Sequence, residues 1–155
     1  MDMLPVETGP ERLCLGGDEV LVLATSAQTG GALCAVEVRM PPGGGPPVMH
    51  RHAPGEVYRV LDGEFTFYVG DAPPVRRVTA AAGETVALAG GVAHSVRNES
   101  GADATAFVVH APGAPMEGFV RAAAALAAEG RGSMADVLEI AAGHGIELLG
   151  PIPTA

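Results

Sequence analysis

Between Glu19 and Ala111 the chain is a succession of short apolar runs cut apart by turn residues, with no helical stretch among them. The runs are EVLVLAT, ALCAVEVRM, EVYRVL, EFTFYVG, VRRVTA, TVALA, HSVRN and ATAFVVHA. Clusters of Gly, Pro, Asp or Asn separate them at intervals of roughly 8 to 14 residues. Without intervening helices such strands do not make a βαβ fold; they predict an all-β sandwich or barrel. Asp62-Gly63, between VYRVL and EFTFYV, is the strongest hairpin signal in the chain, because a type I′ turn needs positive φ at both central positions.

After HAPGAP the character changes. Residues 115 to 129 put Met116, Phe119, Val120, Ala123 and Leu126 on one helical face, with Gly130 as a stop. Ser133, followed three residues on by Asp136, opens a second helix that Gly143 ends. The tail GIELLGPIP then runs out in prolines. Helices this short and rich in alanine need a surface to pack on. The expected division is a β domain over residues 1–113 and a helical extension over 114–155 packed on it or on a second subunit.

Charge narrows the partners. Nine basic against 18 acidic residues give a net charge of -9, so nucleic acid and anionic membrane are not expected partners. Every basic residue is arginine. The absence of lysine excludes a P-loop lysine and a Schiff-base lysine. Cys14 and Cys34 do not make a disulfide framework and read as free thiols. The acidic start MDMLPVETGPER lacks the apolar run of a signal peptide, and no stretch approaches the ~20 apolar residues of a membrane span. The expected location is the cytoplasm.

The segment GGGPPVMHRHAPGEVYRVLDG, residues 43 to 63, carries the chemistry. On a strand, side chains at i and i+2 face the same side. His50 and His52 then project together with Arg51 turned away, and Glu56 shares their parity. His94, in GETVALAGGVAHSVRN, can reach the same interior in a rolled sheet. Three imidazoles and one carboxylate suit a divalent transition metal and leave coordination positions open. The spacing alone leaves two readings, a turn-rich loop with ordinary histidines or half of a metal site.

The same segment resembles the first motif of the cupin family, with Gly44, His50, His52, Glu56 and Gly63 at the family spacing. Gly83, Gly91, His94 and Asn98 resemble its second motif, with Ala89 where the family usually has proline. The resemblance spans roughly residues 30 to 112. It implies a jelly-roll β-barrel with a metal held inside by His50, His52, Glu56 and His94. It does not name the metal: Fe, Mn, Ni, Co, Cu and Zn all suit the set. The C-terminal phrase HGIELLGP is similar to that of quercetinase-like members.

What the resemblance implies for function is a metal-dependent dioxygenase acting on a small, aromatic or enolic molecule inside the barrel, with Glu56 also available as a catalytic base. A non-catalytic ligand-binding sensor and a metal-dependent isomerase are the alternatives. Tyr58 shares the parity of Glu56 and is a pocket candidate, with core packing as its alternative. Phe67 is a second pocket candidate beside Phe65, again weighed against the core. Arg59 is expected in solvent. His110 has no partner at ligand spacing and reads as structural, and His144 reads as a helix C-cap. The loop PPGGGPP is expected to be mobile or pre-extended at the barrel mouth. A homodimer is expected, with LPV and LCLGG supplying an exchanged edge strand.

Overall fold

A computed structural model describes residues 9–71 and 74–153. Its strands are β1 (Glu11–Leu15), β2 (Asp18–Ala24), β3 (Cys34–Met40), β4 (Val48–Arg51), β5 (Gly55–Asp62), β6 (Glu64–Val69), β7 (Arg76–Ala81), β8 (Thr85–Leu88), β9 (His94–Arg97) and β10 (Ala104–Ala111). Helices α1 (Ala114–Ala128) and α2 (Met134–Gly143) follow, and β11 (Glu147–Pro151) comes last. All eight expected runs are strands. Six strands form one sheet in the order β1-β2-β3-β10-β5-β8, and five form another in the order β11-β4-β9-β6-β7. The chain crosses repeatedly between them, as in a jelly roll. The sheets face each other without closing into a hydrogen-bonded barrel.

Alternation on β5 shows why the sheets pack. Glu56, Tyr58 and Val60 are buried while Val57 and Arg59 are exposed. The inner faces meet over a core that includes Val36, Val60, Phe65, Phe67 and Val108. Phe65 and Phe67 are fully buried, each contributing about 1.5–3 kcal/mol of transfer free energy. Cys34 is buried, Cys14 exposed, and both are free thiols.

Asp62-Gly63 does not close a hairpin. Strand β5 pairs with β10 and β8, whereas β6 pairs with β7 and β9, so the dipeptide is the corner where the chain leaves one sheet for the other. Only Gly63 has positive φ, at 75°, and a Cβ there would lie 2.5 Å from the Asp103 carbonyl oxygen. A glycine is demanded by close approach as much as by φ.

The loop before β4 is tied to its neighbours by hydrogen bonds. Gly43 N–H donates to Asn98 O at 2.8 Å, Asn98 N–H to Gly44 O at 3.1 Å, and Gly45 N–H to Asp18 Oδ2 at 3.2 Å. The Asn98 side chain fastens the same corner, donating to Met40 O and Ala102 O at 2.8 Å each. It also accepts from the backbone and hydroxyl of Ser100.

The C-terminal segment holds a strand that its prolines conceal. β11 pairs with β4, setting Leu148 opposite His50. Ser133 caps α2 by accepting from Asp136 N–H, as expected. α1 packs mainly on β1, and α2 on α1 and β11. Since β1 and β11 are the outer edges of the two sheets on one side, the helices fill the seam the strands leave open. His144 does cap α2, its Nδ1 bonding Ile140 O at 2.9 Å, and its ring lies against Gly118 of α1. LCLGG, expected to supply an exchanged strand, contributes to β1, an edge strand that pairs with β2. LPV lies outside the described residues, as do the first eight residues of the expected β domain.

Candidate metal centre

Two cross-strand pairs build the site, one from each sheet. On the five-stranded sheet His50 of β4 stands opposite His94 of β9, their ring centroids 4.3 Å apart. On the six-stranded sheet Glu56 of β5 stands opposite His110 of β10. Directly opposed residues in an antiparallel pair hold their Cβ atoms about 5 Å apart, so each register fixes one pair. His52 joins them from just beyond the end of β4, in the crossing to β5. Its ring is 4.9 Å from that of His94 and 5.7 Å from that of His50. His50, His52 and His94 offer ligand atoms that all lie within 4.8 Å of one another.

The backbone decides which ring nitrogens face the centre. His52 Nδ1 is 2.9 Å from Pro54 O, and His94 Nδ1 is 2.9 Å from Val92 O. A carbonyl oxygen only accepts, so each Nδ1 carries the proton and a neutral ring presents the Nε2 lone pair inward. Glu56 lies among them, with Oε1 3.0 Å from His52 Nε2 and Oε2 3.4 Å from His94 Nε2. These distances are short, yet His52 Nε2, His94 Nε2 and Glu56 Oε2 are buried without a hydrogen-bond partner. Lone pairs converging in a buried space, with Nδ1–H groups tied to carbonyls, are a donor set that fits a divalent cation. Nitrogen and oxygen donors of this kind suit a first-row transition metal.

The electrostatics differ from one donor to the next. Burial, then the neighbouring His94, lowers His50 to a pKa of about 4, against the opposing pull of Glu56, so its lone pair is free at neutral pH. Burial alone would raise Glu56, but the hydrogen bond from His110 and the closeness of His52 and His94 outweigh it and hold the carboxyl well below the usual range. For His94, burial is outweighed by Glu56, and its pKa rises.

His110 is the member that strand spacing missed. Its Nε2 sits 3.1 Å from Glu56 Oε1, and its Nδ1 is buried without a partner. Its parity on β10 marks an inward residue, but only knowledge that β10 lies beside β5 connects it to Glu56. Tyr58 points inward; burial first, then Glu56, pushes its phenol well above the ordinary range. Its ring meets Phe67 edge-on at 5.1 Å. Tyr58 lines the cavity beside the site, whereas Phe67 is fully buried behind it and is not among the lining residues.

That cavity has a volume of about 320 Å³. His50, Glu56, Tyr58 and His110 mark its polar end, and the walls are aliphatic. Strands β1, β2 and β3 supply one wall; Met116, Phe119, Val120, Ile146 and Leu148 of the C-terminal segment supply another. The seam-filling helices therefore complete the chamber. No helix of the described residues is long and apolar enough to cross a membrane.

Comparison with known proteins gives these features a family. The cupin domain matches residues 36–110. Among solved structures, a protein described as a predicted oxalate decarboxylase from Thermotoga maritima is 26% identical, with a TM-score of 0.55 over 72% of this chain and 98% of its own. An oxalate decarboxylase variant from Bacillus subtilis is 18% identical, with a TM-score of 0.58 over 68% of this chain; the match spans 28% of that protein's length. A cupin sugar phosphate isomerase from Silicibacter pomeroyi is 23% identical, with a TM-score of 0.52 over 63% of this chain and 60% of its own. No curated protein matches the sequence. The domain match, the jelly-roll sheets and these structural neighbours together place the chain in the cupin superfamily.

Proposed function

We propose that this cupin is a metal-dependent enzyme acting on a small molecule in the internal cavity, by dioxygenase-type chemistry on an aromatic or enolic group. The observation that carries it is the convergence of His50, His52 and His94 with an unpartnered Glu56 oxygen at one end of an apolar chamber. The three imidazoles would hold the metal, with Glu56 as a fourth donor. Bound there, a divalent transition metal supplies Lewis acidity and, if redox-active, a route for electrons. The carbonyls of Pro54 and Val92 keep the His52 and His94 lone pairs aimed inward. His110 holds one Glu56 oxygen and leaves the other unpartnered; that oxygen serves as the fourth donor or, released from that role, would take a proton from an acidic substrate hydroxyl. Tyr58, and Phe67 packed behind it, shape that end of the pocket. The apolar walls keep water from the reacting group.

The neighbours' names include a decarboxylase and an isomerase, and the Bacillus subtilis protein has Mn(II) centres. Manganese is therefore one candidate beside Fe, Ni, Co, Cu and Zn. A Glu56 carboxylate poised to take a proton also serves a metal-dependent isomerase, the second reading; a sensor that binds without turnover is the third. Oxygen uptake during turnover of phenolic and enolic compounds by metal-loaded protein tests the first. Product without oxygen uptake would move the assignment to the isomerase, and unchanged ligand after aerobic incubation to the sensor. Within the first reading, Glu56→Gln should keep its metal and lose at least about a hundredfold in turnover, the usual span of acid–base catalysis. Full activity there removes the base role. A cytoplasmic homodimer completes the proposal, checked by mass in solution at micromolar concentration.

A further inference from the structure

The cavity's charges point to the kind of molecule it accepts. Besides Glu56, two acids line it, Asp18 on β2 and Glu117 on α1, and no arginine is among the described residues lining it. The chain has no lysine to supply the missing cation. The two arginines nearest these acids are already committed. Arg97 donates to the Gly45 carbonyl, and Arg121 bonds Glu117 at 3.1 Å and Glu11 at 2.7 Å. Glu117 also receives Ser26 N–H at 2.7 Å, so it holds the α1 wall in place. Between the metal-site end and these acids the walls are Val20, Val36, Val38, Met40, Phe119 and Ile146.

From this we infer, building on the function proposed above, that the ligand presents its reactive group to the histidines and is uncharged and apolar everywhere else. A carboxylate, phosphate or sulfate remote from the histidines would be buried without a cation or a row of donors. Such burial is strongly unfavourable, and Asp18 adds like-charge repulsion. A positive centre held by His50, His52 and His94 offsets an anion only within its own reach. Sugar phosphates and compounds with a second anionic group are accordingly excluded, while a ring with alkyl substituents fits.

The test is calorimetric titration of the metal-loaded full chain at pH 7 with 4-methylcatechol and with 3,4-dihydroxybenzoate. The two share the same ring and vicinal hydroxyls and differ by a methyl against a carboxylate at the far end. Binding of the methyl compound at least tenfold tighter is expected. Equal or tighter binding of the carboxylate overturns the inference, and so does failure of both to bind at millimolar concentration. Val38→Phe locates the ring: it should weaken 4-methylcatechol at least tenfold with metal content and circular dichroism unchanged, and undiminished binding there contradicts a ligand in this chamber. Discriminating binding without turnover counts against the oxygenase reading alone. Turnover of the carboxylate counts against this inference alone.

Discussion

The two ends of the cavity wall are built on different principles. At the polar end, backbone register sets every side chain: His50 opposite His94, Glu56 opposite His110. A one-residue slip there would turn the whole set outward. Along the seam, α1 and α2 enclose the same space with apolar side chains that answer mainly to volume, in a cluster of Met116, Ala141 and Ile146 with Phe119 and Leu148 against it. The first region belongs to the matched cupin domain; the second lies beyond residue 110. Strands within the matched domain thus position the donor groups, and a segment outside it closes the room around them. Such a division lets ligand preference vary without disturbing the donor geometry.

That contrast can be broken at either end. Removing residues 114–155 would have the largest effect, since it strips β11 from β4 and uncovers the cavity wall. Aggregation, or a large loss in thermal midpoint, is expected on heating; a truncated chain as stable as the whole would show that the seam encloses nothing. Met116→Ala should cost about 2–5 kcal/mol in denaturant unfolding, the range for a buried methionine truncated to alanine, with metal affinity unchanged. Asn98→Ala should cost about 2 kcal/mol, because the buried bond to the Met40 carbonyl is lost together with the side chain's bonds to Ala102 and Ser100; a negligible change would mean that the corner below β4 is not held by this side chain. Ser133→Ala removes the α2 cap and should cost about 1 kcal/mol. Smallest is Arg121→Ala, whose bridges to Glu11 and Glu117 are partly exposed and should contribute under about 1 kcal/mol.

The strands were legible because their turns are explicit and their alternation regular. Parity on β5 correctly turned Glu56 and Tyr58 inward. Local signals failed where one pattern serves two geometries. Asp-Gly reads as a hairpin, but the positive φ of Gly63 serves equally at a corner between sheets. β11 was hidden because Gly150 and Pro151 are poor strand residues; an edge position beside β4 tolerates them. His110 was hidden for a nonlocal reason, since nothing near it in sequence says that β10 lies beside β5. His50, His52 and His94 were found because two of them sit two residues apart and the third falls in a spacing that resembles a known motif. The seam-filling role of the helices was visible only once the edges β1 and β11 were located.

The most direct measurement is metal content of untagged protein purified without chelators, beside a His50→Ala/His94→Ala variant of matched circular dichroism. About one equivalent of a transition metal in the native chain is expected, with essentially none in the variant. A native chain that holds no metal and takes up none on titration would contradict the metal centre, leaving the three imidazoles and Glu56 as a buried polar network in a ligand-binding jelly roll.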